Sequence, residues 1–115
     1  MAENLLRKVD IDWLLTIYGA MLTDKQRAIA TLYYEEDYSL AEIAQQEGVS
    51  RQSIHDTLQR VEKQLRTLED KLRMRSRLTR VQNSLEQALE ELKADPVAAT
   101  KSIEKAISLL TDEED

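Results

Sequence analysis

Nine side chains, Ser39, Ser50, Arg51, Gln52, Ser53, His55, Gln59, Arg60 and Lys63, have types and spacing that fit one chemistry, contact with nucleic acid. Arg can pair with guanine O6 and N7, and Gln with adenine N6 and N7, each through two hydrogen bonds. Arg51 and Gln52 are therefore a candidate pair for reading base edges, with Ser53, His55 and Gln59 beside them. Ser39, Ser50 and Arg60 suit phosphate oxygens, helped by backbone N–H groups exposed at helix starts, and Lys63 is a further candidate nucleic-acid contact. Asp56 stands in the same set and opposes it, because a carboxylate repels phosphate. His55 is the only histidine, so it cannot build a metal site; it reads as a solvent-facing side chain or a nucleic-acid contact. Tyr33, Tyr34 and Tyr38 are read as packing around a turn, with base stacking as the alternative. There is no cysteine, no Gly-rich phosphate loop and no His-centred triad. Nothing points to an enzyme, and no cofactor or metal is expected.

Two helices crossing steeply through a short turn would hold these side chains in place. Ser39-Leu40-Ala41-Glu42 is a capping box that opens one helix. Gly48 can end it in the left-handed conformation, Val49 plugs the corner, and Ser50 caps the next helix. Ala44 is small where the helices must touch, and Ile43, Ile54 and Leu58 supply a shared core. The pattern is a helix-turn-helix over residues 39–60.

The flanking sequence reads as further helices. Leu5, Leu6, Val9, Trp13, Leu14, Ile17, Tyr18 and Met21 recur at helical spacing, predicting a first helix over roughly 3–22. Thr23-Asp24-Lys25-Gln26 is a second capping box, and the helix it starts should turn Ala28, Ile29, Leu32 and Tyr33 inward. After Ser50 no stop signal intervenes for a long way. Ile54, Leu58, Val61, Leu65, Leu68 and Leu72 form a seam of the coiled-coil kind. Its phase breaks at 73–77, read as a bend or helix boundary, and Leu78, Val81, Leu85, Ala88 and Leu92 resume it. Asp95-Pro96 signals a last helix burying Ala99, Ile103, Ala106, Ile107 and Leu110. The expected fold is all-α with five or six helices: a helix-turn-helix domain with a long recognition helix over 1–75, then a C-terminal helical extension over 76–115, a hairpin.

Composition agrees. Of 115 residues only 2 are Gly and 1 is Pro, while 33% are charged. Net charge is −6, which argues against loose, charge-driven binding to nucleic acid. Its distribution is uneven. Residues 1–50 carry 4 basic and 9 acidic side chains, residues 51–80 carry 9 and 4, and residues 81–115 carry 3 and 9. The basic block begins where the recognition helix begins; it also fits a plain solvated helix face. No apolar run is long enough to span a bilayer, and Asp10 and Asp12 interrupt any secretory-type start. A cytoplasmic protein is the expectation.

From Leu22 to Leu65 the chain resembles region four of bacterial sigma factors. The carrying features are Leu22 to Gln26, Ala41 to Ala44, Gly48 to Ser50 and the basic helix from Arg51; nothing resembles the other sigma regions. The closer resemblance is to the YlxM family of small bacterial helix-turn-helix proteins. It rests on Leu22-Thr23-Asp24-Lys25-Gln26, Leu32-Tyr33-Tyr34, Asp37-Tyr38-Ser39-Leu40-Ala41-Glu42-Ile43-Ala44, Gly48-Val49-Ser50-Arg51-Gln52 and Glu62-Lys63-Gln64-Leu65. It covers roughly residues 10–75; beyond Arg75 only helical character is recognisable. Genes of that family tend to lie beside that of the signal recognition particle GTPase. The resemblance thus implies an accessory role in that pathway, with the particle's RNA or its GTPase as partner beside DNA.

The expected function is nucleic-acid-binding regulation, with a protein-interaction adaptor on the same scaffold as the alternative. The apolar seam continues beyond what a helix-turn-helix core needs, and the C-terminal helices have apolar faces of their own. A homodimer is therefore expected.

Overall fold

Thr23 and Ser39 start their helices as the sequence predicts. The Thr23 hydroxyl accepts from the Gln26 N–H at 3.1 Å, and the Gln26 side chain accepts from the Thr23 N–H at 3.2 Å. Ser39 and Glu42 repeat the exchange at 3.1 and 2.9 Å. A computed structural model describes the backbone of residues 2–111 and the side chains of residues 7–111. Its helices are α1 (Ala2–Tyr18), α2 (Asp24–Tyr34), α3 (Leu40–Glu47), α4 (Arg51–Leu72), α5 (Met74–Glu91) and α6 (Pro96–Leu110). A 3-10 turn over Gly19–Met21 follows α1, so the α-helix stops earlier than the apolar spacing suggests. Among the described residues every regular element is helical. The expected cores at Leu5 and Leu6 lie outside the described side chains.

The chain divides between Leu72 and Arg73 into two compact units. In the first, α4 is the spine on which α1, α2 and α3 pack. Its buried row is Ile54, Leu58, Val61 and Leu65, and the helices packed on it bury Ile11, Leu14, Leu15, Tyr18, Ile29, Ala30, Ile43 and Ala44. The Tyr18 hydroxyl donates to Glu69 at 2.7 Å and fastens α1 to the far half of α4. The seam is thus consumed inside the unit as far as Leu65, while Leu72 is exposed.

Several inward assignments are corrected. Val9 and Trp13 are about half exposed, Met21 is exposed, and α1 buries Ile11 and Leu15 instead. On α2, Ala30 is buried and Ala28 is not. Val49 is exposed at the corner it was expected to plug. Each helix offers two adjoining apolar rows, and spacing alone does not say which of them meets a neighbour.

In the second unit α5 and α6 form a hairpin. Asp95 caps α6, accepting from the Val97 and Ala98 N–H groups at 3.1 and 3.3 Å, with Pro96 at the first helical position. The helices touch through small residues and a few larger ones: Val81, Ser84 and Ala88 on α5, and Ala99, Ala106 and Leu109 on α6. Leu78, Leu85 and Leu92, and also Ile103, Ile107 and Leu110, stand exposed. That overturns the expectation that Ile103, Ile107 and Leu110 are buried. The sequence break at 73–77 is a helix boundary: Arg73 adopts a left-handed conformation, φ 53°.

Candidate nucleic-acid interface

Gly48 sets the angle between α3 and α4. Its φ of 69° and ψ of 33° lie in the left-handed region. Its N–H returns to the Ala44 carbonyl, as does that of Val49 at 3.0 Å. The Ser50 hydroxyl then accepts from the Ser53 N–H at 3.0 Å and starts α4. These local bonds are what turn the chain, and Ile43, Ile54 and Leu58 close the angle from inside.

The nine predicted contact residues all face solvent. Gln52, Ser53, Gln59, Arg60 and Lys63 occupy the side of α4 away from the buried row, His55 stands at its flank, and Arg51, in register with Ile54 and Leu58, is exposed because it opens the helix. Ser39 and Ser50 sit at the two helix starts, each already accepting one backbone N–H, with the hydroxyl proton left to donate outward. Gln59, Arg60 and Lys63 share a shallow groove with Asp56.

Asp56 has a role that residue type alone did not reveal. Gln52 Nε2 donates to Asp56 Oδ1 at 2.8 Å. This uses one amide hydrogen and leaves the second, with the carbonyl oxygen, for a two-bond contact. The carboxylate that weakens phosphate attraction therefore orients the Gln52 amide. His55 Nδ1 lies 3.8 Å from the same Asp56 oxygen.

The structure brings Arg7 and Lys8 of α1 to this side, which sequence reasoning missed. With Tyr33, Tyr34, His55 and Gln59 they line a cleft of about 250 Å³. Two adjacent basic residues in a net-acidic N-terminal half were the available signal. Arg7 is ion-paired to Glu62, whose hydrogen bond and charge hold the guanidinium above the ordinary arginine range. Lys8 Nζ sits 4.0 Å from the Tyr33 ring centroid, a cation–π contact. Tyr33 and Tyr34 meet edge to face, centroids 5.0 Å apart. Burial, and then the Glu62 carboxylate, push the Tyr34 phenol above its usual range. Both rings are thus occupied as packing. Arg66 reaches Asp10 and Glu62 at 3.7 and 3.5 Å. Among the described residues Arg51, Arg60 and Lys63, three exposed cations of the first four turns of α4, make no ion pair.

Residues 5–109 match UPF0122, the family of YlxM / p13-like helix-turn-helix proteins. The chain belongs to this family. The match includes the C-terminal hairpin, beyond the stretch where the sequence resemblance was legible. A UPF0122 protein of Clostridium botulinum is 44% identical over 86 residues, 75% of this chain and 79% of that protein. One of Streptococcus agalactiae is 54% identical over 63 residues, 55% of this chain and 57% of that protein. One of Streptococcus pyogenes is 56% identical over 63 residues, covering 55% and 56%. The chain thus spans a little over half the length of these streptococcal UPF0122 relatives. No helix among the described residues is long and apolar enough to cross a membrane.

Proposed function

We propose that this chain is a nucleic-acid-binding regulator that reads a short target with the first turns of α4. The observation that carries the reading is the α4 surface itself. Arg51, the Asp56-oriented Gln52, Gln59, Arg60 and Lys63 all face outward behind a rigid Gly48 turn. In a helix-turn-helix docked in a major groove, these are the positions that meet base edges and phosphates. The resemblance to YlxM proteins supports an accessory role in the signal recognition particle pathway, with that particle's RNA as a target beside duplex DNA.

The charge balance limits the affinity. Three available cations give a slope of log affinity against log salt of about −3 for a duplex, shallow for a nucleic-acid reader. The test is selection from random duplex DNA and random RNA pools, with the particle's RNA as a separate probe. Fluorescence anisotropy then follows at several salt concentrations. Enrichment of a short site, weakened about 10- to 100-fold by Arg51→Ala, is expected. No enrichment in any pool, with no binding to the particle's RNA, overturns the reading.

A protein-interaction adaptor, for example for the GTPase of the same pathway, is the second reading. The net charge of −6 and the half-exposed Val9 and Trp13, four residues apart on α1, favour it. It gains if the pools yield nothing and the purified GTPase binds.

A further inference from the structure

We infer that the hairpin of α5 and α6 is a dimerisation module, and that its occupant is a second copy of this chain. The two helices meet through their smaller side chains and leave their larger ones outside. On α5 the exposed row is Leu78, Leu85, Leu89 and Leu92, beside the buried row Val81, Ser84 and Ala88. On α6 it is Ile103, Ile107 and Leu110, beside the buried Ala99, Ala106 and Leu109.

Helical geometry places both exposed rows on one face. At about 100° per residue, each exposed row stands roughly a quarter turn from the buried row of its own helix, in the same rotational sense. The helices run antiparallel, joined by a short link, with Val81 packed against Ala106 and Leu109. Equal rotations of the same sense about antiparallel axes point to the same side of the plane containing both axes. The hairpin therefore has one broad aliphatic face.

That face fits a bundle of four helices. A helix in such a bundle touches two neighbours and needs two apolar rows, whereas a hairpin alone uses one. The seven side chains of the face are between 37% and 70% exposed. They present on the order of 500 Å² of apolar surface, about as much as the largest patch on a soluble monomer. Two copies facing each other bury on the order of 1,000 Å² from these side chains alone, the size at which a specific interface becomes stable. A second hairpin supplies the two missing helices with matching rows, through a self-complementary two-fold contact. The inference stands independently of what α4 binds.

Sedimentation equilibrium of the full chain at micromolar concentration tests it, with Leu89→Lys/Ile107→Lys as the variant. Leu89 is 70% and Ile107 54% exposed, so neither is needed for the hairpin to fold. The wild type is expected at twice the 13.3 kDa chain mass. The variant is expected to dissociate with a dimer constant weakened about 100-fold or more, because an unpaired lysine buried in an interface is costly. Its far-ultraviolet helix signal should remain. A wild type at 13.3 kDa throughout, or a variant that dimerises as tightly as the wild type, overturns the inference. If the variant instead loses its helix signal, the single changes Leu89→Lys and Ile107→Lys decide by the same mass criterion.

Discussion

Replacing Gly48 tests the turn that orients the candidate recognition helix. Its φ of 69° and ψ of 33° cost an L-residue about 1–2 kcal/mol, because Cβ crowds the backbone there. No atom lies within 4 Å of a Cβ built at Gly48, so the cost is backbone strain alone and not a clash. Reduced freedom of the unfolded chain offsets about 0.4–1 kcal/mol of it. Gly48→Ala should therefore lose about 1 kcal/mol. Gly48→Val should lose more, since a β-branched side chain is worse at positive φ. Gly48→Asn should lose the least of the three, because Asn tolerates the left-handed region. For a unit of this size a loss of 1 kcal/mol lowers the melting temperature by about 4–8 °C. Thermal unfolding followed by circular dichroism is the assay, with the order Gly, Asn, Ala, Val expected from most to least stable. An Ala variant melting with the wild type, or an Asn variant below Ala, would refute the strain argument.

Glu42 should make stability fall on acidification. Hydrogen bonds from Ser39, the backbone N–H first, hold its carboxyl below the usual range. A depressed folded value means the contribution is complete above the ordinary carboxylate value, about 4.3, and is lost as pH falls through the lower folded value. Glu42→Gln keeps a capping partner that does not titrate, so its urea midpoint should drop less between pH 5 and pH 3; equal drops would contradict this. At Arg73 the left-handed φ of 53° falls on a residue with a Cβ, and its side chain does not cap α5. Arg73→Gly should raise stability by about 0.5 kcal/mol, the strain relieved less the entropy gained by the unfolded chain, measured as a higher denaturation midpoint. Asp56→Ala should blunt discrimination between the selected site and a site altered at the Gln52 contact, while raising affinity for unrelated sequence through the lost negative charge. Retained discrimination would remove Asp56 as the group that positions Gln52.

What was legible in the sequence is what depends on local bonds. Thr23 with Gln26, Ser39 with Glu42, Gly48, and Asp95 with Pro96 each act within about four residues, and each sits where its residue types require. The all-helical fold and the helix-turn-helix followed from these stops and starts. Choices between alternative faces were not legible. Leu85 and Ala88 belong to adjoining rows of α5, and only the presence of α6 decides that Ala88 is covered. Contacts far apart in sequence were equally hidden: Arg7 meets Glu62 across 55 positions, and Tyr18 meets Glu69 across 51. Arg73 gave no sign of its conformation, since arginine has no preference for positive φ. At the candidate interface Gln52, Ser53, Gln59, Arg60 and Lys63 were readable as outward from the periodicity of Ile54, Leu58 and Val61, whereas Arg51 shares that stripe and is exposed because it opens α4. The bond between Gln52 and Asp56 was not singled out, although its spacing of four allows it.

The most direct test of nucleic-acid reading by α4 is amide chemical-shift mapping of the full chain. The sequence enriched by selection is titrated in, with a scrambled sequence as control. Large shifts are expected, confined to the first turns of α4 and the starts of α3 and α4 and centred on Arg51 and Gln52, with the scrambled sequence producing weaker, salt-sensitive shifts at Arg60 and Lys63. Shifts centred on Val9 and Trp13 of α1, or on the α5–α6 hairpin, with α4 unmoved, would contradict it.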